Sequence, residues 1–83
     1  MVVEKINRDP HFEKLFSKLD SNQKEKIKTQ IRKIIENPEV GKPMRYARKG
    51  TREVYIKPFR LSYIYISEEN NVIFLDLYHK DER

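Results

Sequence analysis

The sequence has no cysteine, only two glycines and no long hydrophobic run. Without cysteine there is no disulfide, no thiolate nucleophile and no cysteine-built zinc site, which fits a reducing, cytoplasmic setting. No apolar stretch approaches the roughly 20 residues of a membrane-spanning helix, and the first residues lack the apolar core of a signal peptide. There is also no glycine-rich phosphate loop and no metal-ligand spacing. We therefore expect a cytoplasmic protein that uses no metal or cofactor and binds no membrane.

The 83 residues are 37% hydrophobic and 37% charged, and nine of them are aromatic. A chain this short builds one modest core, because only about 60% of its unfolded surface is buried on folding. No repeat, low-complexity tract or linker divides it. Residues 1–83 are accordingly predicted to form a single charged globular domain.

Positive charge is concentrated in one window, residues 42–60. The window holds seven cations and one anion, Glu53, whereas the other 64 residues carry 11 cations and 12 anions. Four of the seven cations are arginines, which suit forked phosphate contacts, and Tyr46, Tyr55 and Phe59 offer stacking faces for unpaired bases. A solvated surface is the plainer interpretation. We predict that the window binds RNA or another phosphate-rich surface, and the candidate RNA-binding cations are Arg45, Arg48, Lys49 and Arg52.

The first half of the sequence has the pattern of two amphipathic helices. Asp9 and Pro10 are typical of an N-cap and a first helical position, and an apolar stripe at i, i+3, i+4 and i+7 follows over residues 12–19. Residues 20–22 interrupt this stripe, and a second one covers residues 27–35. A break this short predicts an antiparallel helical hairpin with a shared apolar side.

The second half changes to the period of two that is typical of strands. Strands are predicted over residues 52–57, 59–67 and 72–79, and possible short strands over 2–6 and 44–49. Short turns between consecutive strands predict an antiparallel meander, and the helices must cover one of its faces. The predicted fold is α+β: an N-terminal antiparallel helical hairpin packed on one face of a small, mainly antiparallel four-stranded sheet.

Strand alternation groups three polar residues that are candidates for chemistry. Glu53, Tyr55 and Lys57 share one strand face, where they can supply a proton acceptor, a stacking surface and a phosphate clamp. The alternative is a wet sheet face with a cross-strand ion pair. Arg60 begins the next strand, and an arginine there can stabilise a phosphate or simply cap a loop.

Two histidines complete the candidate residues. His79, followed by Lys80, ends the last predicted strand, and a lone terminal histidine is often an ordinary surface residue. His11 lies near the start of the first helix and is predicted to be structural or merely exposed.

Three segments, in this order, carry a resemblance to a known family. They are the helix pair FEKLFSKLDSNQKEKIKTQIRKIIENP, the strand-turn-strand segment REVYIKPFRLSYIYI with its aromatic-Arg-Leu-x-Tyr signature, and the closing segment NVIFLDLYHKDER with its His-Lys pair. Together with the cation-rich stretch before the signature, they resemble the RelE/ParE superfamily of type II toxin–antitoxin toxins, on its RelE (mRNA interferase) side. The resemblance covers nearly the whole chain and implies a RelE-like fold.

The resemblance also implies an activity, namely metal-independent cleavage of mRNA in the ribosomal A site. In such an endoribonuclease the ribose 2′-OH attacks the adjacent phosphate, which requires a base, cations and an acid. The signature arginine, here Arg60, would stabilise the scissile phosphate with Lys57. Candidates for the base are Glu53 or His79, and candidates for the acid are His79, Lys80 or Tyr55. Many members have a catalytic tyrosine beyond the closing pair, and none follows Lys80 here, so that acid–base scheme does not carry over directly.

The resemblance implies a partner as well. A cognate antitoxin, a small RelB-like protein, would wrap the domain with a helix and neutralise the basic window, leaving one toxin monomer within a hetero-oligomer. Two alternatives keep the fold and change the function. One is a ParE-like inhibitor that binds DNA gyrase, and the other is a catalytically inactive protein that binds RNA or the ribosome.

Overall fold

Two helices and five strands make up the part of the chain that the computed structural model describes, residues 3–45 and 49–81. In chain order they are β1 (Lys5–Arg8), α1 (Pro10–Ser17), α2 (Ser21–Glu36), β2 (Lys42–Pro43), β3 (Arg52–Ile56), β4 (Phe59–Ile66) and β5 (Asn71–His79). A short 3-10 turn, Ser67–Glu69, links β4 to β5. Two candidates from the basic window, Tyr46 and Arg48, lie outside the described residues.

Both helices begin where their capping residues predict. Asp9 accepts a hydrogen bond from the His11 N–H at 2.8 Å, and Pro10 follows as the first residue of α1. Asp20 and Gln23 form a reciprocal capping box at α2, with N–H to side-chain oxygen distances of 2.7 and 3.2 Å. These side chains satisfy backbone N–H groups that have no partner within the helix.

The strands form one sheet in the order β1-β5-β4-β3-β2. All neighbours are antiparallel except β1, which runs parallel to β5. The α+β class and the helix pair on a mainly antiparallel sheet are confirmed, but the sheet has five strands rather than the predicted four. The differences are at the two short edge strands. β1 has four exposed residues at 5–8, where the possible strand was predicted over 2–6, and β2 has only two residues, 42–43, ahead of the possible strand predicted over 44–49. So short an exposed strand shows no alternation in sequence, because neither of its sides is buried.

The core lies between the helices and one face of the sheet. Its fully buried side chains are Phe12 from α1, Ile27 and Ile34 from α2, and Leu61, Tyr63, Val72 and Phe74 from β4 and β5. Leu61 is paired with Leu77 and Tyr63 with Phe74, so these side chains point toward the helices together. No helix in the described residues is long and apolar enough to cross a membrane.

Tyr63 ties the loop after α2 to this core. Its hydroxyl donates to the Pro38 carbonyl at 2.7 Å and accepts from the Gly41 N–H at 2.9 Å. Burial raises the pKa of the Tyr63 phenol, against the opposing effects of the Gly41 hydrogen bond and the Arg52 charge. Gly41 is required by this packing, because a Cβ there would lie 2.6 Å from the Tyr63 oxygen.

Candidate functional site

Strand pairing places two rows of polar side chains on the sheet face opposite the helices, which we call the outer face. The first row is Tyr55, Arg60 and Tyr78, and the second row is Lys42, Glu53, Ser62 and Asp76. Cross-strand partners project to the same side of a sheet, and they alternate here with the residues of the core. The outer face therefore collects cations, phenols and carboxylates from four strands.

Arg60 is at the centre of the first row. Its guanidinium carbon lies 5.4 Å from the centre of the Tyr55 ring, a distance typical of a cation–π contact. The Tyr55 side chain is exposed, while Arg60 is half-buried. A guanidinium beside an exposed aromatic ring can hold a phosphate while an adjacent unpaired base stacks on the ring.

Glu53 lies on the predicted strand face, but it is buried, with 4% of its surface exposed. Its Oε2 accepts a hydrogen bond of 2.8 Å from the Tyr78 hydroxyl. The bond crosses β4, whose residue opposite Glu53 is the small Ser62. A buried carboxylate that is reached through a phenol can take a proton from that phenol without touching a substrate itself.

Tyr78 is the functional candidate that sequence reasoning missed. It occupies the position before His79. The alternation of β5 predicts only that Tyr78 shares a sheet face with Asp76, and it does not show that Tyr78 lies beside Arg60. Only the pairing of Tyr78 with Arg60 across β4 and β5 brings it into the first row. That register depends on an irregularity between Ser62 and Tyr63, which is not visible in the sequence.

His79 and Lys80 lie apart from this row. His79 is paired with Phe59, on the sheet side that alternates with Arg60, and the two ring centres are 6.0 Å apart. Its Nδ1 accepts from the Asp81 N–H at 3.2 Å. Lys80 is exposed and its N–H donates to the Pro58 carbonyl at 3.0 Å. The structure thus brings Glu53 and Tyr55 to Arg60 and separates the closing pair from them.

The other cations of the window have different surroundings. Lys57 was predicted to share the strand face of Glu53 and Tyr55, but β3 ends at Ile56 and Lys57 is exposed in the turn between β3 and β4. Arg45 and Lys49 are also exposed. Arg52 instead points toward the helices, where its Nη1 donates to the carbonyls of Glu39 at 3.0 Å and Gly41 at 2.8 Å. These bonds give Arg52 a part in holding the loop after α2.

No group of three or more histidine, cysteine, aspartate or glutamate side chains is placed to hold a metal ion within residues 3–45 and 49–81.

Comparison with protein families gives one match over most of the chain. The model of the ParE toxin of type II toxin–antitoxin systems (parDE) matches residues 9–83. A search of curated proteins found no match.

Solved structures show the same fold. The toxin of the intact Escherichia coli RelBE toxin–antitoxin complex is 22% identical, with a TM-score of 0.79, and the match covers 95% of this chain and 98% of that one. The Mycobacterium tuberculosis RelBE2 toxin–antitoxin complex gives 22% identity and a TM-score of 0.84, over 95% and 100% of the two chains. The YoeB/ParE toxin of Agrobacterium tumefaciens is 17% identical with a TM-score of 0.81, and the match covers 92% of this chain and 98% of that one. At these identities the likeness shows the fold.

Proposed function

The chain belongs to the ParE toxin family of type II toxin–antitoxin systems, within the RelE/ParE superfamily that its motifs resemble, and we propose that it is a ribosome-dependent mRNA endoribonuclease. One observation carries the proposal: Arg60 is grouped with Tyr55 and with the Tyr78–Glu53 pair on the outer face. This grouping offers a cation, a stacking ring and a path for a proton at one place.

The proposed reaction needs no group from outside the protein and the RNA. The ribose 2′-oxygen forms a bond to the adjacent phosphorus, and the bond from phosphorus to the 5′-oxygen of the next nucleotide breaks. A base takes the proton of the 2′-hydroxyl, and an acid protonates the leaving 5′-oxygen. The products are a 2′,3′-cyclic phosphate and a 5′-hydroxyl end.

Arg60 is proposed to bind the scissile phosphate and to stabilise the negative charge of the phosphorane. Tyr55 positions the guanidinium through the 5.4 Å contact, and its exposed phenol is available as the acid. Lys57, in the adjoining turn, supplies a second positive charge near the phosphate.

Glu53 is proposed to act as the base through Tyr78. The Tyr78 hydroxyl donates its proton toward Glu53 at 2.8 Å, so the lone pairs of its oxygen can accept the proton of the 2′-hydroxyl. As one proton reaches Tyr78, the other passes to the Glu53 carboxylate. This route uses a carboxylate that the surrounding side chains shield from direct contact with RNA.

A second candidate function is inhibition of DNA gyrase by binding, as in a ParE-like toxin. The observation that favours it is the family model itself, which is that of ParE rather than RelE. Such a protein has no use for a proton path between Tyr78 and Glu53. The two functions therefore differ in what Arg60 and Tyr78 contribute.

We also propose a cognate antitoxin that docks on the helix side of the fold. A groove of about 300 Å³ lies between β1, α1 and α2, with an apolar floor that includes Ile6, Phe16 and Ile31 and a rim of Arg8, Lys28 and Arg32. An amphipathic helix with an apolar stripe and acidic flanks fits this surface. Structures of relatives from E. coli and M. tuberculosis are toxin–antitoxin complexes, which supports a protein partner.

Arg60→Ala tests the proposed function, and Lys26→Ala, which removes an exposed cation from α2, is the matched control. We expect primer extension on translating ribosomes to show cleavage by the parent chain and by the control, and about 10²–10³-fold slower cleavage by Arg60→Ala. Cleavage that survives Arg60→Ala unchanged would refute the site. Inhibition of gyrase supercoiling without RNA cleavage would instead support the second candidate.

A further inference from the structure

A cavity of about 380 Å³ opens beside the proposed cleavage site, and the proposed function leaves it unused. It is lined by Asp9, His11, Thr51, Ser62, Leu75 and Asp76. Its floor is part of the second outer-face row, where Ser62 is paired with Asp76. The short side chains of Ser62 and Asp76 lie next to the longer ones of Arg60 and Tyr78, which makes the surface concave.

His11 reaches this cavity because β1 ends early. Its last residue, Arg8, is paired with Phe74, so β5 becomes an edge strand from that point on. The Asp9 N–H still donates to the Phe74 carbonyl at 2.8 Å, which holds the start of α1 against that edge. His11 Nε2 then lies 3.1 Å from Asp76 Oδ1, although the two residues are 65 positions apart in sequence.

Only one carboxylate oxygen of Asp76, Oδ1, makes the contacts described for this side chain. Oδ1 is the atom that contacts His11, and it also accepts from the Leu77 N–H at 2.8 Å. Neither contact uses Oδ2. The side chains of His11 and Asp76 are 60% and 36% exposed, so both are accessible from the cavity.

We infer that this cavity is a base-reading subsite, in which Asp76 accepts hydrogen bonds from a base with an exocyclic amino group next to the cleaved bond. The inference rests on the proposed function. A carboxylate offers acceptors only, and adenine, cytosine and guanine present amino donors to it. In uracil the single N–H donor is flanked by two carbonyl oxygens, which repel a carboxylate. His11 is a positioning residue that orients Asp76.

The spacing of the two rows fits a neighbouring nucleotide. Asp76 and Tyr78 are two residues apart on β5, which corresponds to about 6.8 Å along a strand. Stacked nucleotides repeat at about 3.4 Å, so RNA that spans both rows is unstacked at this step. An unstacked base exposes the edge that a protein reads in single-stranded RNA.

Asp76→Asn tests the subsite, because the amide keeps the size of the side chain and replaces an acceptor by a donor. Glu25→Gln is the matched control: it removes one exposed carboxylate that pairs with Lys28 on α2, away from the cavity. The assay scores cleavage of ribosome-bound mRNAs that carry each base at the positions flanking the cut. We expect the parent chain and the control to prefer amino-bearing bases over uracil about tenfold at one position, and Asp76→Asn to lose this preference while it still cleaves.

His11→Ala provides a second variant, and it should weaken the same preference. Loss of stability alone would slow cleavage of all four bases equally. An unchanged base profile in Asp76→Asn, or a parent chain that cleaves without discriminating against uracil, would overturn the subsite and leave the proposed function standing.

Binding decides the subsite separately from cleavage. Trinucleotides with 2′-O-methyl riboses have no attacking hydroxyl, and their binding is followed by the NMR signal of the His11 ring. We expect this signal to shift with a cytidine trinucleotide in the parent chain, and to shift much less with a uridine trinucleotide or in Asp76→Asn. Equal shifts with both trinucleotides, or none, would overturn the inference even for a protein that cleaves no RNA.

Discussion

Among single residues, Glu53 and Tyr78 are proposed to act as one unit in the cleavage reaction. Glu53 is buried and its Oε2 accepts from the Tyr78 hydroxyl at 2.8 Å. Whichever of the two is removed, the same proton path is interrupted. Residues that act in this way have effects that do not add.

Glu53→Gln and Tyr78→Phe should therefore each slow mRNA cleavage about 10²-fold, and the double variant should be no slower than the single ones. Rates measured on programmed ribosomes check this. Glu39→Gln, an exposed carboxylate in the loop after α2, is the control and should cleave at the parent rate. Additive losses in the double variant would show that the two residues do not share a path.

Tyr63 gives a prediction about stability. Tyr63→Phe leaves the Pro38 carbonyl and the Gly41 N–H without their buried partner, which should cost about 1–3 kcal/mol of unfolding free energy at neutral pH. Tyr65→Phe, on a half-buried tyrosine of the same strand, should cost less. Urea unfolding of the three proteins measures the difference.

The difference in unfolding free energy between the parent and Tyr63→Phe should decrease at alkaline pH. Burial raises the pKa of Tyr63 above its usual value of 10.0, so the unfolded chain ionises first as the pH rises. The neutral Tyr63 phenol contributes fully to the free energy of unfolding below about pH 10, and this contribution is lost as the pH rises toward the pKa of Tyr63 in the folded protein. Above pH 10, the gap between the parent and Tyr63→Phe should shrink by up to about 1.4 kcal/mol per pH unit. A constant gap would contradict the raised pKa.

Among the secondary-structure elements, the helices could be predicted from the sequence, whereas the sheet could be predicted only in part. Both helix starts are predicted by Asp9, Pro10 and Asp20, because a capping side chain bonds backbone groups only two or three residues away. Central strands such as β3 and β4 show their alternation, since one side is buried. β1 shows none, and its parallel pairing with β5 joins residues far apart in sequence.

The same limit applies to the site. Alternation predicted that Glu53 and Tyr55 share a strand face, and the family signature pointed to Arg60, whereas Lys57, predicted on the same face, lies in the turn after β3. The burial of Glu53 and its bond to Tyr78 could not be predicted, because both depend on the register of three strands. His11 and Asp76 meet only because β1 ends at Arg8 and the chain crosses the edge of β5.

The groove between β1, α1 and α2 gives a prediction at this scale. Ile6→Asp places a carboxylate on an apolar floor that is proposed to receive the antitoxin helix, and it should weaken antitoxin binding at least tenfold. Val40→Asp is the matched control, since Val40 is also an exposed apolar residue and lies in the loop after α2. Calorimetry with the cognate antitoxin measures both. Equal loss in the two variants would place the antitoxin elsewhere.

In the molecule as a whole, the basic window and the apolar groove lie on different elements. The exposed cations of the basic window and Arg60 belong to the sheet and its loops, whereas the apolar groove lies on the helix side. The excess positive charge of the sequence lies in the window of residues 42–60, and a positive field from these strands and loops draws a polyanion toward them. This separation allows one surface to bind RNA while another binds a protein.

Cleavage of a ribosome-bound mRNA with a single 2′-deoxynucleotide at the cleaved position tests the proposed endoribonuclease most directly. We expect the purified chain to cut the all-ribose mRNA to a 2′,3′-cyclic phosphate and a 5′-hydroxyl. The one deoxy substitution should abolish the cut, because the attacking group is missing. Cleavage of the deoxy-substituted mRNA, product ends with a 5′-phosphate, or an all-ribose mRNA left intact would refute the proposed reaction.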